Sequence, residues 1–149
     1  MHITNVLEFS LINLLAVCLN LCYYLLVRLF KNTWFNRFAG KERIPDSELK
    51  EVVDQLEKGQ AYADLGGDVY KMRIARPFEG KSGGYRVIVL FKSKEMTFFV
   101  YGFSKSDKSN INRQELQAYK EAAKEYFSMT AEQIEKRIKH GQLIELQGV

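Results

Sequence analysis

The sequence predicts an α+β domain in which helices from both ends of the chain flank an antiparallel sheet. Three observations predict it. Helical periodicity of apolar residues occupies 34–58 and again 112–139, and three β-rich runs with short links fill 69–103. At 149 residues, 46% of them apolar and 27% charged, the chain has room for one domain with a single core, and it carries no repeat or low-complexity tract.

The chain opens on nineteen uncharged residues, 9–27, between Glu8 and Arg28. That is just long enough to span hydrocarbon as a helix. Tyr23 and Tyr24 would then sit at an interface, with Arg28 and Lys31 on the cytoplasmic side. A signal peptide fits worse, because MHITNVLE lacks Lys and Arg and no small-x-small site precedes the domain. The preferred reading is a mis-set start codon with Val27 as the alternative start. Residues 1–28 are then an extension and 29–149 the working domain, placed in the cytoplasm. The alternative is an inner-membrane anchor through residues 9–27.

Trp34, Phe35 and Phe38 mark the buried face of a first helix, with Gly40 as its stop. In IPDSELKEVVDQLEKG, Pro45 and Asp46 open a second helix, Leu49, Val52, Val53 and Leu56 form its stripe, and Lys58-Gly59 closes it. AYADLGGD reads as a turn-rich loop. VYKMRIA (69–75) alternates apolar and basic residues, YRVIVLF (85–91) reads as a central strand, and MTFFVYGF (96–103) is aromatic and β-rich. KSKE is a hairpin link between the last two, whereas RPFEGKSGG between the first two is a glycine-rich connection. Asn110 or Asn112 caps a helix to about Phe127, and Thr130-Ala-Glu-Gln133 is a capping box for another that ends at Lys139, with Gly141 at C′. LIEL (143–146) is a candidate final strand.

Cys18 and Cys22 both lie in the apolar run, so the body of the chain contains neither a disulfide framework nor a Cys-based metal site. His2 and His140 sit near opposite ends, which disfavours a His-centred site. The net charge of +4 is unevenly spread: residues 71–108 hold nine basic and three acidic side chains, leaving the remainder net negative. Such a local excess suits a polyanionic partner. GKSGG is not a P-loop, because it lacks the upstream glycine and joins strand to strand.

Lys71, Arg73 and Arg76 are read as alternating along one face of the first run, Arg86 starts the next, and Lys105 and Lys108 follow the third. Lys81 reaches in from the glycine-rich link, and Tyr85, Tyr101 and Phe103 are candidate platforms for an unpaired base. Singly, a strand arginine defaults to solvent. Convergence of several is what points to a site. The patch offers no carboxylate pair, metal triad or Ser/His arrangement. RNA supplies its own nucleophile, the 2′-OH, and Lys and Arg can stabilise the phosphorane and move protons. Such chemistry needs no metal or other cofactor and leaves a 2′,3′-cyclic phosphate.

The runs LFKNTWFNRFAGKERIPDSEL, ADLGGDVYKMRIARPFEGKSGGYRVIVLF and FFVYGFSKSDKSNI resemble the RelE-like toxins of type II toxin–antitoxin modules, in their HigB-like branch, from Leu29 to Leu146. The resemblance implies a compact twisted antiparallel sheet with helices packed on it. It also implies messenger RNA cleavage in the ribosomal A site without metal, and a cognate helix-turn-helix antitoxin. By motif Lys71 and Arg73 fall on the family's basic first strand and Arg86 matches the Arg of its GYR motif, which makes these three the expected catalytic residues with Lys71 as base; Arg76, Lys81, Tyr85, Lys105 and Lys108 of the basic patch are the expected RNA contacts. The chain departs from the pattern after the third run. Many relatives carry an Arg near Ser106, where SKSDKSNI offers Lys105 and Lys108, so the resemblance leaves the acid open. Competing readings are a gyrase-directed or non-catalytic member acting in operon autoregulation, and a membrane-tethered protein.

Overall fold

A computed structural model describes residues 11–17, 27–76, 80–108 and 110–146, with the backbone alone at 80–82. Residues 11–17 are helical and exposed, and the rest of the expected 9–27 apolar span, Val27 apart, lies outside the described residues. Among the described residues no helix is long and apolar enough to cross a membrane.

The chain folds as β1 (Arg28–Asn32), α1 (Thr33–Lys41), α2 (Asp46–Glu57), β2 (Ala63–Asp64), β3 (Val69–Arg76), β4 (Gly80–Lys92), β5 (Met96–Ser104), α3 (Arg113–Ser128), α4 (Ala131–Lys139) and β6 (Leu143–Glu145). One six-stranded sheet runs β2-β3-β4-β5-β1-β6. All neighbours are antiparallel except β1 and β5, which pair in parallel from Arg28↔Met96 to Lys31↔Phe99. The α+β fold with a mostly antiparallel sheet is the one expected.

Local chemistry sets the helix ends. Asn32 accepts the amide of Phe35 at 2.7 Å to start α1, and capping boxes at Asn112/Glu115 and Thr130/Gln133 start α3 and α4. Gly40, expected as a stop, lies inside α1, which runs on to Lys41 before Glu42 caps it. A glycine with helical φ weakens a helix without ending it.

Strand alternation then divides the core in two. On one face Met72, Val87, Val89 and Phe99 pack against Phe35 of α1 and Leu49 and Val52 of α2. On the other, Ile88, Leu90 and Phe98 pack against Ala123 of α3 and Ile134 of α4. The sheet is therefore a middle layer, with the N-terminal helices on one side and the C-terminal helices on the other.

Three expectations change. Arg28–Asn32, unassigned or placed in the extension, is a strand between β5 and β6, and Phe30 at its centre is fully buried. The loop AYADLGGD contributes the two-residue strand β2, which pairs Ala63 with Lys71 and Asp64 with Tyr70. The glycine-rich link is not a loop: from Gly80 onward it belongs to β4, with Arg76 opposite Gly80 across an irregularity between Ile74 and Arg76. Gly84 makes this possible. A Cβ there would lie 2.0 Å from the Ile74 carbonyl oxygen and 2.9 Å from the Arg76 nitrogen, so only glycine lets the two backbones approach.

Candidate active site

Residues two apart on a strand share a face, so Lys71 and Arg73 of β3 emerge together on the side that carries α3. Across the sheet, Arg73 lies opposite Arg86 and Arg86 opposite Phe103, while the next row runs Lys71, Ile88, Tyr101. Directly opposed like charges destabilise a strand pair. Here they are held around an aromatic ring. Tyr62, just before β2, places its ring centroid 3.8 Å from the Arg73 guanidinium carbon, 5.5 Å from Lys71 Nζ and 5.6 Å from that of Arg86. Its quadrupole offers the cations a partial counter-charge without neutralising them.

The Tyr62 hydroxyl accepts a 2.6 Å hydrogen bond from Arg73 Nη2, and Lys71 Nζ donates to Asn110 Oδ1 at 3.3 Å. Neither Lys71 nor Arg73 has a salt bridge among the described residues. Among the described residues Arg73 Nε is buried without a hydrogen-bond partner. Such a donor normally costs about 1–3 kcal/mol, so the cluster is held against the preferences of its members. The Tyr62 phenol is pulled below its ordinary range, first by the Arg73 hydrogen bond and then by the Arg73, Arg86 and Lys71 charges. We expect it to ionise below the usual phenol value of about 10. A tyrosinate absorbance titration, differenced against Tyr62→Phe to remove the other seven tyrosines, checks this. Arg73→Met should move the transition back up; an unmoved transition would refute the assigned cause.

The remaining expected residues divide. Arg76 and Tyr85 are not part of this cluster. Arg76 is three residues from Arg73, and Tyr85 is the neighbour of Arg86, so period-two alternation sends both to the opposite face. There Tyr85 is buried against Phe38, its hydroxyl donates to Glu42 at 2.7 Å, and Arg76 Nε donates to it at 3.2 Å. Burial, then the Glu42 bond, raises the Tyr85 pKa. Lys105 sits exposed in the turn after β5. Lys108 is paired with Glu115 and lies 5.4 Å from the Tyr101 ring, and that carboxylate raises its pKa. The side chain of Lys81 lies outside the described residues.

Two contributors to the cluster were not expected there, Tyr62 and Asn110, the latter considered only as a helix cap. Only the pairing of Ala63 with Lys71 brings Tyr62 over the basic face, and nothing local to AYAD signals it.

The geometry is a sheet face bearing three clustered cations. Residues 27–146 match the profile of a family described as the RelE toxin of the RelE/RelB toxin–antitoxin system. The chain belongs to the RelE toxin family. It is a toxin of a toxin–antitoxin system, and the resemblance to RelE-like toxins holds at the level of that family. No curated protein matches the chain. In this RelE-family toxin the matched segment takes in every element from β1 to β6.

Proposed function

We propose that this RelE-family toxin is a metal-independent endoribonuclease of the HigB-like branch, working in the cytoplasm. It cleaves messenger RNA on the ribosome and is held in check by a helix-turn-helix antitoxin. The observation that carries the reading is the meeting of Lys71, Arg73 and Arg86 around Tyr62 on one sheet face. Guanidinium forks suit the oxygens of a phosphodiester, and preorganised cations stabilise the extra charge of a phosphorane more than that of the ground state.

In this mechanism Arg73 and Arg86 hold the scissile phosphate. The Tyr62 phenolate, favoured by Arg73, takes the proton of the 2′-OH, whose oxygen then attacks phosphorus. Lys71 gives a proton to the departing 5′-oxygen, leaving a 2′,3′-cyclic phosphate and a 5′-hydroxyl. Lys71, expected as the base, is thereby reassigned to the acid, since its ammonium is already a donor, to Asn110. Because the phenolate is the working form, the rate should rise with pH and level off once pH passes the lowered Tyr62 pKa.

The test is a messenger fragment with one 2′-deoxynucleotide at the cleavage position. We expect no cut there, and 2′,3′-cyclic phosphate ends from the all-ribose control on translating ribosomes. Cleavage of the deoxy position would overturn the mechanism.

A further inference from the structure

Within β1–β6 the exposed large hydrophobic side chains among the described residues are Tyr62, 46% exposed, and Trp34, 45% exposed. They flank the basic cluster from opposite sides. Tyr62 lies over β3 at one end of the row. Trp34, on α1, stacks on Tyr101 of β5 at 4.4 Å between ring centroids. Pairing of β1 with β5 stops at Phe99, so the distal part of β5 is an edge. Along that edge runs an open groove of about 490 Å³ walled by Trp34, Tyr101, Phe103, Arg37 and Lys41. The volume falls in the range of small-ligand sites.

The charge in the groove is informative. Its acidic members each accept a hydroxyl hydrogen bond, Glu42 from Tyr85 and Asp107 from Ser104, and keep their charge. Lys108 is taken by Glu115. Arg37 and Lys41 form no salt bridge among the described residues. The groove thus joins an exposed indole to two cations that form no salt bridge among the described residues, a combination that suits a base with its backbone phosphates. It is also continuous with the cluster, since Phe103 lies opposite Arg86 and Tyr101 shares a row with Lys71. Two strand spacings separate β3 from β5, about 10 Å.

We propose that the Trp34 groove is a second nucleotide subsite. It takes an unpaired base of the RNA strand that crosses the sheet from Tyr62, with Arg37 and Lys41 on the phosphates beside it. The proposal rests on the ribonuclease reading for the identity of the polyanion, but its test does not depend on cleavage.

Trp34 is the chain's one tryptophan, so its emission reports on this groove alone. The full-length toxin is titrated with a single-stranded 2′-O-methyl oligoribonucleotide, which cannot be cut by 2′-OH attack, while anisotropy of a labelled copy gives Kd. We expect saturable quenching, and a Kd weakened about 5- to 150-fold in Trp34→Ala, the range for losing one stacked base. Trp34→Phe, which preserves an aromatic wall, should retain most of the affinity, and Arg37→Gln/Lys41→Gln should flatten the salt dependence. Binding without a change in emission, with the Kd of Trp34→Ala unchanged, would overturn the subsite, as would equal quenching by sodium polyglutamate. Loss of all oligonucleotide binding would overturn both the subsite and the ribonuclease reading. Quenching without cleavage of unmodified RNA leaves the subsite standing and removes the ribonuclease.

Discussion

Replacing Lys71 and Arg86 together by alanine is expected to abolish both growth arrest on induction and messenger cleavage. Loss of one preorganised donor to a charged transition state typically costs about 10²–10³ in rate, so losing two contributors should leave less than about 10⁻³ of the activity. Arg86 is only 6% exposed on a central strand, and its truncation also leaves space beneath Tyr62. Lys71→Ala alone separates the effects. Lys71 is half-buried and outside the apolar core, so that variant should melt like the parent while cleaving far more slowly. Undiminished toxicity of a folded double variant would sink the assignment. Arg86→Lys should not rescue, because an ammonium cannot offer the paired donors of a guanidinium.

Gly84→Ala is expected to cost the fold at least about 3 kcal/mol and lower Tm by roughly 10 °C or more. The added methyl meets the β3 backbone, the Ile74 carbonyl oxygen at 2.0 Å and the Arg76 nitrogen at 2.9 Å, and neither can turn away as a side chain would. Relief requires β3 and β4 to separate next to the Arg73↔Arg86 row, so activity should fall with stability. Gly40→Ala is the matched control. It lies in a helix with nothing within 4 Å of the new Cβ, and alanine there should be neutral or stabilising by up to about 1 kcal/mol. A thermal melt of the two variants decides the point, and equal Tm values would contradict the close-approach account.

What was legible in the sequence was what is encoded locally. The capping residues Asn112 and Thr130 and the stripe Leu49–Val52–Val53–Leu56 announce their helices within a few residues, and all three helices are found there. The runs at 69, 85 and 96 announce strands for the same reason. The segment RLFKN gives no such signal, since only Phe30 is buried and its strand partners lie near residues 96–99 and 143–145. The candidate site follows the same division. Lys71, Arg73 and Arg86 could be grouped from strand parity, and parity applied strictly would have excluded Arg76 and Tyr85. Tyr62 enters through the β2–β3 pairing, and Trp34 through a helix that returns to the far edge of β5. Neither is visible without the topology.

The place of β1 between β5 and β6 bears on when the molecule becomes complete during its synthesis. Arg28, at the start of β1, donates hydrogen bonds to Glu145 at 2.8 Å and to Glu135 at 2.8 Å, partners 117 and 107 residues further along the chain. At an elongation rate of about 5–20 residues per second, roughly 6–23 s pass between the making of Arg28 and of its partner at a sequence distance of 117. During that interval the β3–β5 meander, whose contacts are short in sequence, has all its own strands, while β1 still lacks its outer neighbour. Closure of the sheet therefore waits on residues 143–145. A toxin built this way holds a competent meander before its first strand has an outer neighbour.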